Sequence, residues 1–157
     1  MKGYVAESKI AIHASPVRVW AALTTPALVK SYLMGADVES DWKIGSRLTY
    51  TGEYQGKPFE EKGVIQKIEP GKILQATHFS ATSGKEDKPE NYAMVTWELT
   101  KRGAETIVSV SQDSISTKEG VAASRSNWDN VLVGLKRTSE QTLETPAQTR
   151  PQTKKEG

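Results

Sequence analysis

Between Gly120 and Glu144 the chain changes period. Trp128, Val131, Leu132, Leu135 and Leu143 gather along one side at helical spacing, whereas the long stretch before Gly120 alternates apolar and polar residues as strands do. A helix with an apolar stripe must bury it. The partner that the sequence offers is the run of strands, so the expected fold is α+β: a curved antiparallel sheet wrapped around its own last helix. A twisted, curved sheet and a straight rod do not touch along their whole length, and the mismatch leaves room for a hollow between them.

The preceding punctuation sets the order of elements. A first strand, about Tyr4 to Ile12, alternates with Ala6, Ser8, Ile10 and Ile12 on one face. Ser15 before Pro16 is an N-cap with proline in the first helical turn, and Val17, Trp20, Ala21 and Leu23 follow at helical spacing. Thr25-Pro26 ends that helix and opens a shorter one carrying Leu28, Tyr32 and Leu33. Turn residues at Gly45-Ser46, Gln55-Gly56-Lys57, Glu69-Pro70-Gly71 and Lys101-Arg102-Gly103 then separate strands at about 37–42, 47–54, 58–69, 72–79, 92–101 and 105–114. The order is β-α-α-β6-α.

The 157 residues suffice for one core, and residues 1–144 are read as a single domain. Residues 145–157 have almost nothing to bury and are expected to be a disordered polar tail; the segment from Ser80 to Asn91 is expected to be a long exposed loop. The formal charge of +2 arises in that tail, where Arg150, Lys154 and Lys155 outnumber Glu156. The remainder is balanced, which argues against a nucleic-acid footprint. No apolar run approaches a membrane span. Charges at Lys2, Glu7 and Lys9 interrupt the start where a signal peptide would be apolar, and cysteine is absent, so a cytoplasmic location is expected.

Few residues offer chemistry. Leu74, Ala76 and His78 share a face, which turns His78 toward the core as the one weak catalytic candidate, an acid-base imidazole or simply a hydrogen-bonded histidine. His13 sits at a strand-to-helix corner, and two histidines without an acidic cluster make no metal site. Gln112 falls in the inward set with Thr106, Val108 and Val110, where it orients a ligand or pairs with the rim. Tyr50 and Trp97 fall in inward sets of their strands and either line the hollow or pack the core. Trp42 from the loop side, with Trp128 and Leu132 from the last helix, closes the hollow or fills it. Gly134 in the helix marks a close approach or a tolerated exposed position. Glu60-Glu61 and Glu86-Asp87 read as solvated faces. No phosphate loop, nucleophile elbow or dinucleotide fingerprint is present, and no cofactor is expected.

Several segments together resemble a known family. Ala14-Ser15-Pro16 followed by Val19-Trp20 and Leu23-Thr24, Asp41-Trp42-Lys43-Ile44-Gly45 before a strand, Gly63 through Glu69-Pro70 before Leu74, and Trp128 to Leu135 with its Trp-x-x-x-Leu-x-x-Leu spacing are similar in order and spacing to the activators of heat-shock-protein-90 ATPase, within the START-like (SRPBCC) superfamily. The resemblance covers about residues 4–144. It implies a helix-grip fold with an interior cavity, used across the superfamily for binding or acting on apolar molecules, and for some members chaperone regulation. It carries no fixed catalytic set onto these positions.

The expected function is therefore binding of a small apolar or aromatic ligand through Trp42, Tyr50, His78, Trp97, Gln112, Trp128 and Leu132. A cyclase- or hydrolase-like enzyme using His78 is one alternative. A chaperone-regulating interaction domain, with a chaperone or other protein as partner, is another.

Overall fold

The alternating segments close into one seven-stranded antiparallel sheet, in the spatial order β1-β7-β6-β5-β4-β3-β2. The computed structural model describes residues 3–144; the tail expected over 145–157 lies outside the described residues, as does the side chain of Leu143. The elements are β1 (Tyr4–Ile12), α1 (Pro16–Thr24), α2 (Pro26–Tyr32), β2 (Asp37–Ser40), β3 (Arg47–Tyr54), β4 (Lys57–Glu69), β5 (Ile73–Ser80), β6 (Ala93–Arg102), β7 (Glu105–Ile115) and α3 (Lys118–Glu144), with one 3-10 turn at Pro89–Asn91. The order is the one read from the punctuation, and the fold is the α+β helix grip. Among the described residues no helix is long and apolar enough to cross a membrane.

Local chemistry explains the boundaries. The Ser15 hydroxyl accepts the Arg18 backbone N–H at 3.3 Å, with Pro16 in the first turn, so α1 begins where the sequence capped it. Strand β2 ends at Ser40, two residues earlier than expected, because Trp42 takes φ +57° and its N–H bonds the Ser40 hydroxyl at 3.0 Å. That left-handed turn cannot continue a ladder.

The first strand lies at the edge of the sheet beside the last, with Ile12 opposite Thr106 and Ile10 opposite Val108. Helix α3 lies across β1 and also meets α1, α2 and β7. Its apolar stripe supplies Leu132 and Leu135, 1 % and 0 % exposed, among Ile12, Val19, Val29, Val108 and Val110. Each such side chain contributes roughly 1.5–3 kcal/mol of burial. Polar ties hold the rest of the helix: Ser8 to Asp129, the His13 backbone N–H to Glu140 at 2.8 Å, and Ser31 to Thr138 at 3.2 Å.

Gly134 resolves to a close approach, between α3 and α2. A Cβ there would lie 2.7 Å from Cβ of Tyr32. The expected exposed loop is exposed from Ala81 through Glu90 but is tied down, since Asp87 meets Lys62 Nζ at 2.5 Å and accepts the Tyr92 hydroxyl at 2.6 Å.

Candidate functional site

Because α3 lies toward the β1 side of the sheet, the concave face of β3 to β6 is left partly uncovered, and α2 with the turn after it bridges the gap. The result is a cavity of about 420 Å³, within the usual range for small-molecule sites. Leu48, Leu74, Ala76 and Val95 form its apolar floor. Met34 and Tyr54, each more than half exposed, stand at its open end.

Six rings contribute to the wall: Tyr32, Tyr50, Tyr54, Phe59, Trp97 and Trp128. Trp97 and Trp128 meet edge to face with centroids 5.6 Å apart. The Trp128 indole N–H donates to Gln112 Oε1 at 2.9 Å, so the side-chain oxygen of Gln112 is committed and its amide N–H groups remain available. Tyr32 donates its hydroxyl to the Ala22 carbonyl at 2.8 Å. Gly52 makes room for Phe59, since a Cβ at Gly52 would lie 2.9 Å from that ring.

Asn127 and Asn130 of α3 add polar groups to the wall, and a further set lies on neighbouring strands. Tyr50 on β3 stands directly opposite Glu61 on β4, and Glu61 Oε1 lies 3.1 Å from His78 Nε2 on β5. Among the described residues no group hydrogen-bonds the Tyr50 hydroxyl, and it is not a sealed atom either, since the buried polar atom left without a partner is Ser139 Oγ. Burial first, then the Glu61 charge, pushes the Tyr50 phenol well above its ordinary value; burial, then Tyr50, does the same to Tyr32.

Of the residues expected at the site, Tyr50, His78, Trp97, Gln112 and Trp128 line the cavity. Leu132 and Trp42 do not. Leu132 points into the packed core between α3 and the sheet, and Trp42, in a left-handed turn at φ +57°, is half-buried against the core's edge. Glu61, read as a solvated carboxylate, keeps 37 % of its side chain exposed and is also part of the wall. Its inward direction was readable, because Phe59, Glu61, Gly63 and Ile65 follow the two-residue period of β4. No group of His, Asp and Glu side chains among the described residues is arranged to hold a metal ion.

Residues 13–140 match the family described as activator of Hsp90 ATPase homolog 1-like protein. The chain belongs to that family. The protein ChR145 from Cytophaga hutchinsonii, known from its solution structure, is 39 % identical, with a TM-score of 0.78 over 92 % of this chain and 99 % of that one. The solution structure of the Aha1 dimer from Colwellia psychrerythraea has 21 % identity and a TM-score of 0.68 over 87 % and 96 % of the two chains. A crystal structure from Mesorhizobium loti gives 21 % and 0.70 over 88 % and 98 %. The last two likenesses are of fold. No curated protein matches the chain.

Proposed function

We propose that this protein binds a small, largely apolar molecule in the cavity between the sheet and α3. The observation that carries this is the cavity itself: about 420 Å³ with an apolar floor, six rings and a few polar side chains from the strands and from α3. Binding sites of this class combine much apolar surface with a few placed polar groups that fix orientation. A cytoplasmic setting belongs to the same proposal and is supported by the cysteine-free sequence.

Nile red, an uncharged dye whose emission shifts in apolar surroundings, tests it. One equivalent is expected to bind with blue-shifted emission, and Ala76→Phe, which fills the floor, is expected to abolish binding while the circular dichroism stays unchanged. A parent protein that leaves the dye's emission at its aqueous position would refute the proposal.

The His78–Glu61 pair supports a second proposal, an enzyme in which Glu61 orients the imidazole for proton transfer. It requires turnover of a bound compound that is lost in His78→Gln with binding retained. The family match supports a third, chaperone regulation. Its test is stimulation of an Hsp90-type ATPase by the purified protein; no stimulation at saturation would dismiss it.

A further inference from the structure

We infer that the cavity selects an aromatic ligand bearing an uncharged hydroxyl, held where Tyr50, Glu61 and His78 line up on β3, β4 and β5. The inference deepens the binding function proposed above and rests on it.

The polar stretch specifies the head by what it lacks. Glu61 has one oxygen engaged by His78; Oε2 has no hydrogen-bond partner among the described residues, and an ionised carboxylate only accepts. The Tyr50 hydroxyl beside it also has no partner, and it both donates and accepts. Neither atom is sealed, so water reaches both in the cavity, and a ligand that displaces this water should replace the hydrogen bonds it made. A hydroxyl does so with one atom. Its hydrogen goes to Glu61 Oε2 and its oxygen accepts from the Tyr50 hydroxyl.

Charged heads fit less well. A carboxylate cannot donate and would face the Glu61 carboxylate directly, while Lys62, which also lines the cavity, is already held by Asp87 at 2.5 Å. An ammonium would satisfy Glu61 but accepts nothing, leaving the Tyr50 O–H unpaired, and its desolvation costs more than that of a hydroxyl. The body follows from the rest of the wall. Trp97, Trp128, Phe59 and Tyr32 present faces and edges that favour flat rings, in offset or perpendicular contact, over a flexible chain.

Displacement of Nile red by β-naphthol, naphthalene, β-naphthoate and β-naphthylmethylammonium compares the heads on one body. β-Naphthol is expected to displace the dye at about tenfold lower concentration than each of the other three, the effect of one charge-assisted hydrogen bond in a partly screened site. In Tyr50→Phe that advantage should fall several-fold with naphthalene unchanged. In Glu61→Gln the gap between β-naphthol and β-naphthoate should close. Both variants are near-isosteric, and thermal melts check their folding.

Equal or tighter binding of β-naphthoate or of the ammonium overturns the inference, as does an undiminished β-naphthol advantage in both variants. If Nile red binds but no naphthalene displaces it, the selectivity is wrong and the binding function stands. If Nile red does not bind, the binding function falls and takes the selectivity with it.

Discussion

The indole N–H of Trp128 donates to Gln112 Oε1 at 2.9 Å, which ties the first half of α3 to β7 at the wall of the cavity. Trp128 also abuts Trp97 edge to face. Replacing it by phenylalanine keeps a ring but leaves the Gln112 oxygen bare. The expected cost is about 2 kcal/mol, from the lost bond and the altered ring pair. Urea unfolding of Trp128→Phe measures it, and a change below about 0.5 kcal/mol would mean that the bond contributes little.

Gly134 is expected to resist the substitution that helix propensity favours. Alanine would gain about 1 kcal/mol in an isolated helix. Here its Cβ would meet Cβ of Tyr32 at 2.7 Å, a contact that neither backbone yields cheaply. Gly134→Ala should therefore destabilise by about 1–3 kcal/mol, as overpacking does. A melting temperature above that of the parent would show that α2 moves freely.

Gly63 is the stricter case. A Cβ there would stand 1.6 Å from the Thr77 carbonyl oxygen, so β4 and β5 press together just before the register shift between Ile65 and Lys67. Gly63→Ala should cost at least about 3 kcal/mol, or prevent folding, because backbone rather than a flexible side chain must move. Soluble yield and denaturant midpoint report it; a midpoint equal to the parent's would contradict the packing described.

Alkaline conditions should find the two half-buried phenols. Tyr32 and Tyr50 both hold their protons above the ordinary value of 10.0, chiefly through burial. The folded state thus keeps protons that the unfolded chain releases. Their contribution to stability is complete below pH 10 and is lost as pH rises above it. Unfolding free energy should fall across that range, and Tyr50→Phe should flatten the fall. An unaltered slope in Tyr50→Phe would place that phenol in solvent.

Much of this architecture was legible because each element announces itself twice, by period and by its boundary residues. Ser15 with Pro16 marks α1, and the change at Gly120 marks the last helix, though α3 begins two residues earlier, at Lys118. The site was less legible. Alternation tells which face a residue takes, and so it turned Tyr50, His78, Trp97 and Gln112 inward, but it cannot say whether an inward residue meets a void or a neighbour. Leu132 shows the difference: its stripe on α3 is correct, yet at its level the helix is packed against the core.

Trp42 failed for a different reason. Its orientation depends on φ +57° in a turn, a conformation that the residue type itself does not favour and that hydrogen bonds to Ser40 and around Ser46 impose. The place of Glu61 in the wall was not readable from its charge, since its partner, His78, sits on the next strand, seventeen positions along the chain, where no local pattern connects the two.

The pairing of β1 with β7 has a consequence for how the chain comes off the ribosome. Tyr4 must wait for Ile115, and Ile12 for Thr106, before either has its neighbour, and α3 can settle on β1 only after that edge exists. Synthesis therefore delivers the earliest strand long before its mates, and the sheet closes late, through contacts of great sequence separation that make folding slow. Until then the apolar faces of β1 and α1 are uncovered, and the incomplete chain is open to aggregation.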